Sequence, residues 1–125
     1  MGFRVAALDH VQLAMPPGSE AAAEAFYAGI LGFEVKPKPD PLAARGGRWF
    51  VQGPVQVHLG VEADFRAARK AHPALRISGF DDLVAALDAA GWAWRPDDEL
   101  PGTRRIYVDD PFGNRLELID DGTPG

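Results

Sequence analysis

The sequence predicts an α+β fold made of two βαβββ modules, and two observations lead to that prediction. First, one order of elements is written twice along the 125 residues: a strand, a helix ended by glycine, a short strand and a hairpin. Second, LGFEV and AGWAW follow the two helices at matching places, and the hairpin RWFVQGPVQVHLGV corresponds to RRIYVDDPFGNRLELI. An internal repeat is strong information about architecture. We expect one domain over residues 1–125, with modules at 5–62 and 71–120 that form a curled mixed sheet.

The first module is delimited by residues that break or cap regular structure. Pro16, Pro17 and Gly18 end its first strand, and Ser19 can cap the helix that Gly32 ends. Its expected elements are a strand at 5–15, a helix from residue 19 to 32, a short strand at 33–36, a mobile turn-rich loop at 37–47, and a hairpin at 48–52 and 54–61.

The second module repeats this order. Ser78 and Asp81 resemble a capping box before the helix FDDLVAALDAA, and Gly91 ends that helix. Its other expected elements are a strand at 72–78, a short strand at 92–95, and a hairpin at 105–108 and 114–119 that turns through Asp110–Gly113.

Composition excludes several classes of function. The formal net charge is -5, which disfavours nucleic acid and anionic membrane surfaces as partners. The absence of cysteine rules out disulfides, thiolate catalysis and zinc–thiolate sites. No apolar run is long enough to span a bilayer, and the N-terminus lacks the pattern of a signal peptide. We therefore expect a cytoplasmic protein.

The three histidines of the chain are its most informative residues. His10, His58 and His72 lie in or beside predicted strands, and Glu117 lies at the comparable place in the last strand. Strand side chains alternate between faces. In each of the four strands the candidate shares its face with Gln or Arg, while the opposite face is aliphatic. The aliphatic face is expected to pack on the helices, and the polar face is expected to line a cavity.

Imidazole nitrogens and a carboxylate together bind divalent metals well. If the four residues converge, the metals that suit them are Fe, Mn, Ni, Co or Zn. Four protein ligands on an octahedral ion leave two neighbouring positions, enough to chelate a substrate through two oxygens. The metal can then polarise a carbonyl as a Lewis acid and stabilise an enolate. Each histidine taken singly is more often packed or solvated than a ligand, and Glu117 has an alternative as a strand residue paired with Arg115 or Arg105.

Other polar and aromatic residues on the same faces are candidate substrate contacts. Gln12 and Arg76 either bind a substrate carboxylate or hydroxyl, or lie at a polar rim. Alternation requires either Trp49 or Phe50 to face the cavity, and we select Phe50 as the contact. Tyr107 is a cavity acid or a structural tyrosine of the hairpin. The candidate substrate-binding set is Gln12, Phe50, Gln56, Arg76 and Tyr107, and the candidate catalytic residue is Glu117.

Five segments resemble the vicinal oxygen chelate superfamily, the group of glyoxalases, bleomycin resistance proteins and extradiol dioxygenases. They are LDHVQLAM, EAFYAGILGFEV, VQVHLGV, HPALRISGFDDLVAAL and YVDDPFGNRLELID, and the resemblance covers about residues 6–120. It implies paired modules whose sheets curl around a metal or ligand, and it implies a homodimer. By the family pattern, His10 and His72 match the ligands of the opening strands, and His58 and Glu117 match those of the closing strands. Three or four protein ligands are both compatible with it.

The resemblance implies a metal-dependent lyase, isomerase or dioxygenase that acts on a small oxygenated metabolite. Extradiol cleavage typically needs an additional base, often histidine, and all three histidines are already assigned to metal; we therefore favour a redox-neutral lyase or isomerase. The alternative is a metal-free protein that binds a small molecule or sequesters an antibiotic, as bleomycin resistance proteins do. Retention of all four candidate ligands favours the enzyme.

Overall fold

A computed structural model describes residues 2–125 and shows two four-stranded sheets, ordered β1-β4-β3-β2 and β5-β8-β7-β6. The strands are β1 Val11–Met15, β2 Glu34–Lys36, β3 Arg48–Gln52, β4 Val55–Val61, β5 Ala74–Ile77, β6 Arg95–Pro96, β7 Arg105–Asp109 and β8 Arg115–Asp120. The helices are α1 Glu20–Ala23, continued by a π-helical turn at Glu24–Ala28, and α2 Phe80–Ala89, with a short 3₁₀ turn at Leu42–Arg45.

The two sheets have the same topology, which confirms the predicted fold class. In each sheet the first strand runs parallel to the fourth, while the second, third and fourth strands are antiparallel neighbours. A parallel pair needs a crossover connection, and α1 and α2 each lie within that crossover. Each module therefore has a sheet with one long hairpin and one parallel edge strand.

The aliphatic sides of both sheets form the hydrophobic core. Phe50, Val57 and Leu59 of the first sheet are buried together with Phe26 and Tyr27 of the first helix. Ile106, Val108, Leu116 and Leu118 of the second sheet are buried with Leu87 of α2. Full burial of each such side chain stabilises the fold by about 1.5–3 kcal/mol. The opposite side of each sheet is left for the polar residues, as the alternation predicts.

The turn Asp110–Asn114 connects the two modules. The Asp110 carboxylate accepts hydrogen bonds from the Tyr27 hydroxyl at 2.8 Å and from the backbone N–H groups of Phe112 and Asn114 at 2.9 Å. The Asn114 side chain donates to Asp110 and to the Ala14 carbonyl of β1, both at 2.8 Å. Burial, with the negative charge of Asp110, raises the pKa of Tyr27, so its hydroxyl remains a donor. The DPFGN segment thus holds one module against the other.

The first strand is shorter than predicted. It begins at Val11 rather than at residue 5, because Val11 pairs with Val57 and β4 starts only two residues earlier. Residues 2–10 precede the sheet, and three large apolar side chains in this arm are exposed: Phe3 at 94%, Val5 at 87% and Leu8 at 79%.

The predicted capping box at α2 is wrong. The N-cap is Gly79, whose φ of 73° lies in the left-handed region that glycine adopts without strain. Ser78 instead donates its hydroxyl to Asp121, and the Gly79 N–H donates to the Thr123 carbonyl, which fixes the C-terminal tail. Strand β5 begins after Pro73, so His72 precedes the strand, and β6 lies at Arg95–Pro96 rather than at 92–95. Within residues 2–125, no helix is long and apolar enough to cross a bilayer.

Candidate functional site

A row of side chains crosses the first sheet on its polar face. Lys36 is paired with Trp49, Trp49 with His58, and His58 with Gln12, one residue from each strand. Residues directly opposite one another on neighbouring strands share a face. The register therefore places a cation, an indole, an imidazole and an amide side by side.

The aromatic members of this row are stacked. The rings of Trp49 and His58 have centroids 4.5 Å apart with planes 12° from parallel. The ring of His10, which lies just before β1, also stacks on the ring of His58, with centroids 4.1 Å apart and planes 18° from parallel. Asp9 lies 2.8 Å from Nδ1 of His10 and orients that ring. Two imidazoles are thus held close together by packing.

His58 has an unused nitrogen. The residue is only 7% exposed, and its buried Nε2 has no hydrogen-bond partner. Burial, together with the nearby charges of His10 and Lys36, lowers the pKa of His58. A neutral imidazole presents one unprotonated nitrogen, which is the form that binds a metal. A buried polar atom without a partner is costly, so this nitrogen points to a missing ligand.

These residues line a pocket of about 550 Å³. Of the predicted site residues it contains His10, Gln12, Gln56 and His58. The loop after β2 adds further walls to it, namely Lys38, Leu42, Arg45 and Gly46. Two hydrogen bonds fix the end of this loop: the Gly47 N–H donates to the Glu20 carboxylate at 2.9 Å, and the Lys38 ammonium donates to the Gly46 carbonyl.

The second sheet repeats the row with different chemistry. Arg95 is paired with Tyr107, Tyr107 with Glu117, and Glu117 with Ala74. Glu117 therefore occupies the position of His58, and Tyr107 that of Trp49. The repeat seen in the sequence is present in the register of the polar faces.

Both carboxylate oxygens of Glu117 are engaged. His72 Nε2 lies 2.9 Å from Oε1, and Arg105 Nη1 donates to Oε2 at 3.0 Å. Burial acts to raise the pKa of Glu117, but hydrogen bonds from His72 and Arg105 outweigh it and hold that pKa below its usual value. Arg105 also pairs with Asp97 at 3.1 Å. The carboxylate is thus ionised, only 7% exposed and fixed in orientation.

The four candidate metal ligands form two pairs and not one cluster. His10 stacks on His58 in the first module, and His72 bonds Glu117 in the second. Among residues 2–125, no group of three or more His, Asp or Glu side chains is arranged to hold a metal ion. Convergence of all four within one chain is therefore not observed, because the members of each pair lie on their own sheet.

The candidate substrate contacts divide in the same way. The selection of Phe50 is corrected: this side chain is fully buried and stacks on Tyr27 at 5.2 Å, while its neighbour Trp49 faces the pocket. Tyr107 meets the ring of His72 edge-on at 5.4 Å. Arg76 is exposed and lines a separate groove, away from the histidine pocket.

The sequence named Arg105 as an alternative partner of Glu117, and the structure shows this contact. Arg105 is two residues before Tyr107 and so shares its strand face. One group of pocket residues was not predicted. No local pattern in the sequence indicated that the pocket would include Lys36, Lys38 and Arg45, because their place at its rim depends on how the loop folds.

Comparison with known proteins gives one consistent answer. Residues 7–118 match the Glyoxalase/Bleomycin resistance protein/Dioxygenase superfamily. A protein from Bacillus anthracis assigned to the glyoxalase family is 42% identical, with a TM-score of 0.92 and coverage of 96% of this chain and 98% of that one. None of the curated proteins matches the chain.

Two more distant structures share the fold. The fosfomycin resistance protein of Listeria monocytogenes is 17% identical, with a TM-score of 0.73 and 94% of each chain covered. A lactoylglutathione lyase from Agrobacterium tumefaciens is 20% identical, with a TM-score of 0.65 and coverage of 89% and 92%.

Proposed function

The chain belongs to the Glyoxalase/Bleomycin resistance protein/Dioxygenase superfamily, and from that premise we propose that it is a divalent-metal-dependent enzyme acting on a small oxygenated compound. The observation that carries this proposal is the buried, unpartnered Nε2 of His58, held against His10 in a pocket. The His72–Glu117 pair at the equivalent place of the second module supports it.

The residues present fit a divalent ion. Nitrogen from His10, His58 and His72 with oxygen from Glu117 is the donor set that suits Fe, Mn, Ni, Co or Zn. A variant of the Listeria protein is complexed with Mn(II) and a dihydroxypropylphosphonic acid; at 18% identity this shows the shared fold, and it makes a divalent ion a reasonable choice here. Such an ion supplies Lewis acidity toward a chelating substrate oxygen.

We propose that the two pairs come together in a homodimer, the His10–His58 pair of one chain facing the His72–Glu117 pair of the other. The separation of the pairs within one chain supports this arrangement. The exposed arm supports it as well, since Phe3, Val5 and Leu8 need cover and lead directly to His10. A second copy that covers the arm also fixes the position of His10.

The side chains around the pairs have separate tasks. Gln12 and Gln56 present amides that can bind substrate oxygens, and Trp49 forms an apolar wall. Arg105 holds Glu117 ionised, which suits a carboxylate that binds metal and accepts a proton from substrate. Tyr107, beside Glu117 in the register, has its pKa raised by burial and by the charge of Glu117, so its hydroxyl is a donor toward substrate oxygen. With all histidines engaged as ligands, we favour a redox-neutral lyase or isomerase over a dioxygenase.

One observation favours the alternative, a metal-free protein that binds or sequesters a small molecule. Arg105 and His72 already bond both oxygens of Glu117 without a metal. Under this alternative the His58 pocket binds an organic ligand directly, and the Glu117 network is structural.

Metal content of paired variants tests the proposal. His10→Ala and Glu117→Ala are prepared singly and then co-expressed with different tags, so that the mixed dimer is isolated. Each single variant is expected to lose bound metal. The mixed dimer is expected to recover half of the wild-type content, because one of its two shared sites keeps every ligand.

Glu34→Gln serves as the matched control, since Glu34 is an exposed strand glutamate outside both pairs. It should retain the wild-type content. No metal in the wild type after incubation with Mn, Fe, Co, Ni or Zn salts contradicts the enzyme and favours the binding protein. Metal in the wild type with none in the mixed dimer contradicts the shared site.

A further inference from the structure

The pocket of the first sheet is basic in an acidic chain. The formal net charge of the protein is -5, yet this pocket is lined by Lys36, Lys38 and Arg45 against the single carboxylate of Asp9. Asp9 is already engaged by His10 at 2.8 Å. Nearby Glu20 is engaged by the Gly47 N–H. The pocket is therefore lined by more cationic than anionic side chains.

The cations have a defined position relative to the histidines. Lys36 is at one end of the row that runs through Trp49 and His58 to Gln12, and its ammonium lies 5.8 Å from the centre of the Trp49 ring. Lys38 and Arg45 enter the pocket from the loop after β2. A ligand in the pocket thus meets Lys36 at one end of the row, the Trp49 ring in the middle and the histidine pair beyond it.

The His58 nitrogen provides the second, independent indication of a ligand. Its Nε2 is buried without a hydrogen-bond partner. The residue is only 7% exposed and lines this pocket. The cationic side chains and the residue with the unsatisfied nitrogen therefore line the same pocket.

We propose that the compound bound in this pocket is a small organic anion, whose carboxylate or phosphate-type group lies at Lys36, Lys38 and Arg45 and whose remaining oxygens lie beside His10 and His58. The inference rests on the proposed function in that it names the substrate class of that site. It needs no metal for the anion contacts themselves. Opposite charges at a water-filled rim attract modestly and are screened by salt.

Three probes test the proposal: glycolate and glycolamide match in size and differ in charge, and phosphoglycolate adds a phosphate group. Glycolate, glycolamide and phosphoglycolate are titrated into the full-length protein as purified, and again after chelation, with binding followed by NMR and by tryptophan fluorescence compared with Trp49→Phe. We expect glycolate to bind at least several-fold tighter than glycolamide and phosphoglycolate tighter still. Affinity should fall as salt rises, and Lys36→Gln with Lys38→Gln should reduce it about tenfold.

The control is Arg69→Gln with Lys70→Gln, which removes the same charge from the exposed linker. It should leave anion affinity unchanged. Equal affinity for glycolate and glycolamide, or equal loss in both double variants, overturns the inference. If the pocket double variant fails to fold, a wild-type anion affinity that does not change with salt overturns the inference. Anion binding by a protein that takes up no metal upholds the inference while refuting the proposed enzyme; metal uptake without preference for anions does the reverse.

Discussion

Asp110 is expected to be the most sensitive polar position of the fold. Its carboxylate is 4% exposed and accepts four hydrogen bonds, from the Tyr27 hydroxyl, two backbone N–H groups and the Asn114 amide. Asp110→Ala removes the acceptor and leaves these donors buried. Hydrogen bonds to a charged group contribute about 1.5–3 kcal/mol each, but they are not additive, and removing one partner of a buried charged pair costs about 3–5 kcal/mol. We expect the free energy of unfolding to fall by about 3–5 kcal/mol.

The assay is thermal and urea unfolding followed by circular dichroism. At about 4 °C per kcal/mol for a chain of this size, Asp110→Ala should lower Tm by about 12–20 °C. Tyr27→Phe removes one donor and leaves the others bound, so it should cost about 1–2 kcal/mol. Asp110→Asn, which keeps an oxygen for the backbone donors, should fall between them. If Asp110→Ala stays within about 1 kcal/mol of the wild type, the turn does not join the modules as described.

Three further perturbations probe the loop, the arm and the pocket. The hydrogen bond from the Gly47 N–H holds the pKa of Glu20 below its usual value. The Glu20 contribution to stability is therefore present above the usual pKa and is lost as pH falls through the lowered one. In urea unfolding, the cost of Glu20→Gln should shrink below about pH 4, and a cost that does not change with pH contradicts this. Deleting residues 2–8 should raise the monomer fraction in analytical ultracentrifugation, and an unchanged dimer contradicts the role given to the exposed arm. Gly60→Ala places a Cβ 2.6 Å from Gln12 Nε2, so it should displace that amide and weaken ligand binding by about fivefold at nearly unchanged Tm, which wild-type affinity would refute.

The sequence predicted the fold and the polar faces because period-two alternation and the doubled element order are local signals. The positions of His58 and Glu117 on equivalent strands followed from that alternation, and the register agrees. The choice of Phe50 over Trp49 failed because alternation requires one of two neighbouring residues to face the pocket but does not say which one. The register places Trp49 at the position equivalent to Tyr107, and Phe50 is buried in the core.

Other features depend on packing between distant segments. The contact of Tyr27 with Asp110 joins residues 83 positions apart, and no local pattern announces it. The division of the four candidate ligands into two pairs likewise depends on how the two sheets are placed in space. Residue types and strand faces indicate that these side chains are suited to bind a metal. Only the tertiary structure shows which of them are in contact.

The most direct measurement is an anomalous-scattering map from crystals of the protein grown with Mn(II) or Zn(II). We expect two equivalent strong peaks in each dimer, each at His10 and His58 of one protomer and at His72 and Glu117 of its partner, with the Arg105 contact to Glu117 rearranged. A map without a peak at these residues, in a dimer that keeps His58 Nε2 unbonded and Glu117 paired with Arg105, contradicts it.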